Sequence, residues 1–198
     1  MRLLIATTNL DKLREIRDLI GHLPVELLAL SDFPAVAEPE ETGATFEENA
    51  RLKALYYDGV FHPDWATVAE DSGLVIDALD GAPGVHSARF LGADSSYPER
   101  FMEIFRRLDA AAALPRSARF VCAVAVVQSG TVIYETTGTV EGTIAPAARG
   151  EHGFGYDPIF YYPPYEKTLG EVGQPEKLRV AHRGAAFRQL ADWLRGRM

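Results

Sequence analysis

Apolar residues recur along this chain in two rhythms. Leu10, Leu13, Ile16, Leu19 and Ile20 fall at helical spacing. So do Phe101, Ile104, Phe105 and Leu108, and again Ala186, Phe187, Leu190, Ala191 and Leu194, and each segment predicts a helix with one apolar face. Short continuous apolar runs of strand length lie between them: Leu3 to Ala6, Val25 to Leu30, Thr67 to Ala69 and Leu74 to Ile76. The longest runs, Arg119 to Gln128 and Thr131 to Val140, flank Ser129-Gly130, a hairpin signal. Pro158 to Tyr162 supplies a last strand.

Polar residues mark the boundaries. Thr8 or Asn9 caps the first helix, Thr8 and Asp11 being spaced as in a capping box, and Gly21 ends it. Thr45 with Glu48 opens a helix that runs to about Asp58 and is closed by Gly59, and Ser96 with Glu99 opens the next. Ser31 to Gly43 and Asp80 to Gly92 read as loops. In Thr67-Val68-Ala69-Glu70-Asp71-Ser72-Gly73 the apolar run stops at two carboxylates, which places them at a strand end or bend. The order β-α-β-α-β-β-α-β-β-β-α predicts an α/β fold with a mixed sheet. No repeat, low-complexity tract or linker interrupts it, so residues 1–198 are expected to form a single domain.

Composition narrows the partners. Twenty Lys+Arg against 28 Asp+Glu give a formal charge of −8. That balance argues against a nucleic-acid coat, whose affinity comes from cations displacing counterions from phosphates. No run approaches the roughly 18 apolar residues of a membrane span, and the stretch from Met1 to Ala6 is too short for a signal peptide. A cytoplasmic protein without membrane partners is expected. The single cysteine, Cys122, sits in the apolar run Phe120 to Val127 and reads as a buried, inert thiol.

Five segments could carry chemistry. Thr7-Thr8-Asn9-Leu10-Asp11-Lys12 joins a strand to a helix; helix N-termini offer free N–H groups to phosphate, and Lys12 adds a mobile charge, though capping alone also explains the turn. Glu38, Glu40, Glu41, Glu47 and Glu48 crowd one stretch and offer hard oxygen ligands to Mg²⁺, or form a solvated acidic loop. Lys53 follows on the helix. Glu70-Asp71-Ser72 places an acid where open α/β sheets bind ligands, and strand alternation lets only one of the two carboxylates enter a site. Gly153-Phe154-Gly155-Tyr156-Asp157 permits unusual backbone angles, and its aromatic rings could stack on a flat base. Lys177, His182 and Arg183 can read carbonyl and phosphate oxygens.

Together these segments resemble the inosine triphosphate pyrophosphatase family. The matching blocks are Ala6-Thr7-Thr8-Asn9 with Lys12 and Glu15; Glu40-Glu41-Thr42-Gly43 with Thr45, Phe46, Glu48, Asn49, Ala50 and Lys53; Asp71-Ser72-Gly73-Leu74; Gly81-Ala82-Pro83-Gly84-Val85 with Ser87-Ala88-Arg89; Gly153 to Pro158; and Glu176-Lys177 with His182-Arg183-Gly184. The resemblance implies a long mixed central sheet flanked by helices, in two lobes with the active-site cleft between them. It implies Mg²⁺-dependent hydrolysis of ITP, dITP, XTP and dXTP to the monophosphate and pyrophosphate by a homodimer. Carried over by position, Asp71 is metal ligand and general base, Glu41 is a metal ligand, and Lys12 and Lys53 stabilise phosphate oxygens. Thr7, Thr8, Asn9, Leu10, Asp11, Lys12, Ser72, Phe154, Gly155, Tyr156, Asp157, Lys177, His182 and Arg183 surround the nucleotide. Between Glu40 and Glu41 the sequence leaves the metal assignment open. Glu70 stands where many members have aspartate, and Ala181 where serine is common. A related pyrophosphatase acting on modified pyrimidine or 7-methylated nucleotides, and a non-catalytic nucleotide sensor, are the alternative readings.

Overall fold

The structure is a computed structural model and describes residues 1–61, 64–111 and 113–197. Its elements are β1 (Arg2–Ile5), α1 (Leu10–Ile20), β2 (Glu26–Ala29), α2 (Phe46–Val60), β3 (Ala66–Ile76), α3 (Tyr97–Ala110), β4 (Ser117–Gln128), β5 (Thr131–Ile144), β6 (Phe160–Tyr162), β7 (Lys167–Thr168), α4 (Gln174–Val180) and α5 (His182–Arg195). The strands form one seven-stranded sheet in the order β2-β1-β3-β4-β5-β6-β7. β1 is parallel to both β2 and β3, with Leu4 opposite Leu28 and Thr67, whereas β6 is antiparallel to β5 and β7. The sheet is therefore mixed, as the element order predicts. Among the described residues no helix is long and apolar enough to cross a membrane.

The chain divides into two compact units. The first comprises Met1–Asp71, Cys122–Gly138 and His182–Met198, and the second Ser72–Val121 and Thr139–Ala181. In the first, Leu13, Ile16 and Ile20 of α1 and Phe187, Leu190 and Leu194 of α5 close on Leu3, Ile5, Val68, Val124 and Val126. Each fully buried side chain of this kind contributes about 1.5–3 kcal/mol. In the second, Phe101, Ile104 and Leu108 of α3 pack with Leu74, Ile76, Phe120, Phe160 and Leu169. Both cores follow the spacing read from sequence.

Several boundaries differ from expectation. β3 runs unbroken through Ser72-Gly73, so Glu70 and Asp71 lie inside a strand rather than at its end. β3 pairs with β1 over Ala66 to Val68 and adjoins β4 in the sheet, and this pairing outweighs the local turn signal of Ser-Gly. α2 continues through Gly59 to Val60, because Gly59 keeps the helical fold without needing to terminate it. Asn9 is the cap of α1: its side-chain carbonyl accepts from the amides of Asp11 and Lys12, and the spacing of Thr8 and Asp11 is incidental. Short helical turns occupy Gly84–Arg89 in the expected loop, and α4 and β7 carry too few residues to show a period. Ser129 and Gly130 both take positive φ, 52° and 73°, the requirement of the tight turn read there.

Candidate active site

Two groups of polar side chains are built on this framework, one in each unit. In the first, α1, α2 and α5 aim charged residues at the carboxylates of β3. Glu70 and Asp71 are 4% and 5% exposed. Burying a carboxylate costs several kcal/mol unless a cation or donors compensate. Each has its own lysine. Lys12 Nζ is 2.9 Å from Glu70 Oε1, and Lys53 Nζ is 3.3 Å from Asp71 Oδ1 and 2.7 Å from Glu41 Oε1. Behind Glu70 the Arg183 guanidinium spans Glu15 Oε2 at 2.6 Å and Glu70 Oε1 at 3.1 Å, and the Cys122 thiol donates to Glu70 Oε2 at 3.1 Å.

Asn49 links this group to the acidic loop. Its Nδ2 donates to Asp71 Oδ2 at 3.1 Å while its Oδ1 accepts from the Gly43 amide at 2.8 Å. A Cβ on Gly43 would lie 2.6 Å from that same Oδ1, so the contact requires glycine. Of the two adjacent glutamates, Glu41 is the one that shares the Lys53 ammonium, whereas Glu40 is exposed.

Neighbouring carboxylates on β3 are tuned in opposite directions. Burial opposes the charge on Glu70, but Arg183 and then Lys12 outweigh it and hold the carboxyl well below the usual range. At Asp71 burial wins: its value is raised, although Lys53 and Lys12 pull it down, and Glu41 adds to the rise. Lys53 responds to the same partners. Burial disfavours its charge, yet Asp71 and Glu41 raise it above its ordinary value. Glu15, Glu41, Glu70 and Asp71 carry four negative charges against three positive ones on Lys12, Lys53 and Arg183. Among these described residues carboxylates outnumber cations by one, on hard oxygen donors.

That surplus fits a divalent cation. Among the described residues no three His, Cys, Asp or Glu side chains gather as a ligand set. A metal here would rest on Glu41 and Asp71, and Mg²⁺ commonly takes one or two carboxylates and keeps its other positions for water and substrate phosphates.

The Thr7 to Lys12 turn lies at the start of α1 beside this group. Two of its amides are taken by Asn9, Thr7 Oγ1 accepts from the Asn9 amide, and Asp11 pairs with Arg14. Thr8 and Leu10 are exposed, Leu10 to 71%. What the turn offers as it stands is Lys12 and hydroxyls, fewer N–H groups than a bare helix end.

The second group lies around Asp157. Its Oδ2 accepts from the Phe154 amide at 2.8 Å and from Lys177 Nζ at 2.6 Å, and the Lys177 ammonium stands 4.7 Å from the Phe154 ring centroid. Gly153 has φ +72°, and a Cβ there would run into Asp157 Oδ2. Gly155 also takes positive φ, +66°. The two aromatic rings of this turn are not equivalent. Phe154 is half-buried, whereas Tyr156 is 4% exposed, packed against Tyr97 and Phe101, with its hydroxyl donating to the Ser87 carbonyl at 2.9 Å. Tyr156 is thus a core ring, and open stacking is left to Phe154. Ser72 is half-buried on β3, and His182 is buried at the first residue of α5. Arg183, expected near the nucleotide, is 1% exposed with both terminal nitrogens on carboxylates.

Glu15, Asn49 and Glu70 are the contributors that the motif reading left without a role. Helical geometry offers the signal for two of them: Glu15 lies three residues after Lys12, and Asn49 four before Lys53, each pair sharing a helix face.

A mixed seven-stranded sheet whose β3 carries adjacent buried carboxylates, each met by a lysine, defines an α/β protein with a buried charged cluster. Comparison with known proteins makes this specific. Residues 3–193 match the Ham1 family, and the chain belongs to it. A dITP/XTP pyrophosphatase of Exiguobacterium sp. is 44% identical over 190 residues, covering 96% of this chain and 95% of that protein. One from Bacillus anthracis is 42% identical over 193 residues, covering 96% and 95%. Among solved structures, a HAM1 protein from Coxiella burnetii superimposes with a TM-score of 0.89 at 37% identity, covering 99% of each chain. The Staphylococcus aureus Ham1 protein gives 0.89 at 33% identity over the full length of both. The family resemblance read from the motifs therefore holds, and so does the α/β architecture.

Proposed function

We propose that this chain is a nucleoside triphosphate pyrophosphatase that hydrolyses ITP, dITP, XTP and dXTP to the monophosphate and pyrophosphate, removing deaminated purines from the nucleotide pool. The observation that carries the reading is Lys53 held between Glu41 and Asp71, with Lys12 on the neighbouring Glu70. The relatives named as dITP/XTP pyrophosphatases support the substrate class.

In this reading residues 1–198 act as one catalytic domain on a single nucleotide. Glu41 and Asp71 hold Mg²⁺, which when bound offsets the charge of the phosphates. Asp71 accepts a proton from the attacking water. Its raised value brings it closer to working pH than an ordinary aspartate, which suits a general base. Lys12 and Lys53 stabilise charge on the phosphate oxygens, and their present carboxylate partners hold them oriented before substrate arrives. Thr7, Thr8, Asn9, Leu10 and Asp11 line the phosphate end, with Ser72 beside Asp71.

At the base end Phe154 stacks on the purine, its other face toward the Lys177 ammonium. Gly155, Tyr156 and Asp157 shape the turn, and Asp157 fixes Lys177. Donors at His182 favour a C6 carbonyl over the C6 amino group of adenine, because a site built on hydrogen bonds leaves the wrong base unsatisfied. Arg183 contributes by bracing Glu70. A homodimer working in the cytoplasm completes the proposal.

The test is an assay that separates pyrophosphate from orthophosphate release across dITP, XTP, GTP and ATP, with and without Mg²⁺. Pyrophosphate release from dITP and XTP that vanishes with EDTA is expected. Binding without turnover, or a preference for ATP, would overturn the reading.

A further inference from the structure

The block Gly81 to Val85 with Ser87-Ala88-Arg89 resembles the family's and has no part in the proposed chemistry. In the structure Ser87 is a hub. Its hydroxyl accepts from the Leu74 amide of β3 at 2.9 Å and donates to the Gly84 carbonyl at 2.6 Å. Its own carbonyl accepts twice, from the Tyr156 hydroxyl at 2.9 Å and from Arg100 Nη1 at 3.3 Å. Arg100 is 3% exposed. Its remaining donors go to the Ser95 hydroxyl at 2.9 Å and the Gly92 carbonyl at 3.4 Å, and its guanidinium lies 4.9 Å from the Tyr97 ring centroid.

A buried guanidinium that meets carbonyls, a hydroxyl and a ring, with no carboxylate among these contacts, is costly to keep for stability alone. Its placement suggests what it does. Tyr97, Arg100 and Phe101 share one face of α3, at i, i+3 and i+4. Tyr97 meets Tyr156 edge-on at 5.3 Å, Phe101 lies 6.1 Å from it, and the Tyr97 hydroxyl lies 3.6 Å from where a Cβ on Gly155 would stand. The face thus grips Tyr156 between Phe154-Gly155 and Asp157, the residues of the base-end turn.

We infer that Arg100 is a positioning residue for nucleobase recognition: through the Ser87 carbonyl and the Tyr156 hydroxyl it fixes the Gly153 to Asp157 turn, and with it Phe154 and the Asp157–Lys177 pair. Arg100 acts through Tyr156 and does not touch the nucleotide. The inference rests on the pyrophosphatase reading above.

The experiment uses the full chain with Mg²⁺ and compares wild type, Tyr156→Phe, Arg100→Lys and the double variant. Tyr156→Phe keeps the ring and removes one hydrogen bond, so it guards against a lysine variant that fails to fold. Each single variant is expected to raise KM for dITP about tenfold, the scale of one misplaced hydrogen-bonding group, with the larger share of the loss in KM rather than kcat. Because both act on one carbonyl, the double variant is expected to be no worse than the weaker single one. Inhibition by pyrophosphate, which reports the phosphate end, stays within about twofold of wild type on the same scale. A role in stability only would lower the melting temperature and leave KM unmoved; that result, additive losses, or equal weakening of pyrophosphate would overturn the inference. Absence of dITP hydrolysis by the wild type would instead overturn the pyrophosphatase reading.

Discussion

Around Asp71 four carboxylates share two ammonium groups and a guanidinium, whereas around Asp157 one carboxylate meets one ammonium and one amide. Among the described residues the first group has one carboxylate more than it has cations, and one of its carboxyls is raised by burial. The second is built on a single buried ion pair, both of its side chains 2–3% exposed. The difference separates two tasks. Under the proposed function, the group that takes up a cation and a polyanion is the one with more carboxylates than cations, and the group that shapes the base end is the one built on a single ion pair.

The comparison can be broken at its strongest point first. Asp71→Asn is expected to keep the fold and to lower pyrophosphate release by about a thousandfold, the scale of a lost general base together with a metal ligand. Circular dichroism checks the fold and a dITP assay the loss; near-normal turnover would remove Asp71 from the chemistry. At the other group the same logic predicts damage to stability. Lys177→Met strands the Asp157 carboxylate in the interior and is expected to cost about 3–5 kcal/mol in urea unfolding. A loss under about 1 kcal/mol would mean that Asp157 is protonated or hydrated there.

Acid separates the two carboxylates of β3. Glu70 is depressed in the folded state, so the unfolded chain takes up the proton first. Its stabilisation is present above its ordinary value of 4.5 and is lost as pH falls toward the folded value. Asp71 has the opposite sign. Its folded value lies above 3.8, so its contribution is present at lower pH and is lost as pH rises through the folded value. Glu70→Gln should therefore flatten the acid limb of a stability profile, and Asp71→Asn should raise the melting temperature at neutral pH. Unchanged acid limbs in Glu70→Gln would show that Arg183 and Lys12 do not hold that charge. The smallest effect belongs outside both groups. Met102, 69% exposed on α3, should tolerate serine within about 0.5 kcal/mol and without change in dITP turnover.

The helices and the core were legible because their signals are local and periodic. Leu13, Ile16 and Ile20, and Phe101, Ile104 and Leu108, face inward as their spacing predicts. β3 misled because Ser72-Gly73 carries a turn signal that only pairing with neighbouring strands overrides, and such pairing is not written in the segment itself. The segments with chemistry were visible in their residue types, but the partnerships were not. Arg183 meets Glu15 across 168 positions of chain, and no local pattern announces that contact. For the same reason the sequence did not announce that Arg183 and Tyr156, expected around the nucleotide, are 1% and 4% exposed.

The contact between Gly43 and Asn49 bears on how this chain can vary. Oδ1 of Asn49 lies where a side chain at position 43 would have to go, while Nδ2 serves Asp71. Position 43 is not free to drift: a side chain there meets the Asn49 amide and also the Glu48 Cβ, 2.7 Å from where its own Cβ would stand, and displacing the amide takes its Nδ2 off Asp71. A glycine outside the charged cluster thus sets the hold on Asp71 without touching it, and its loss is felt two contacts away.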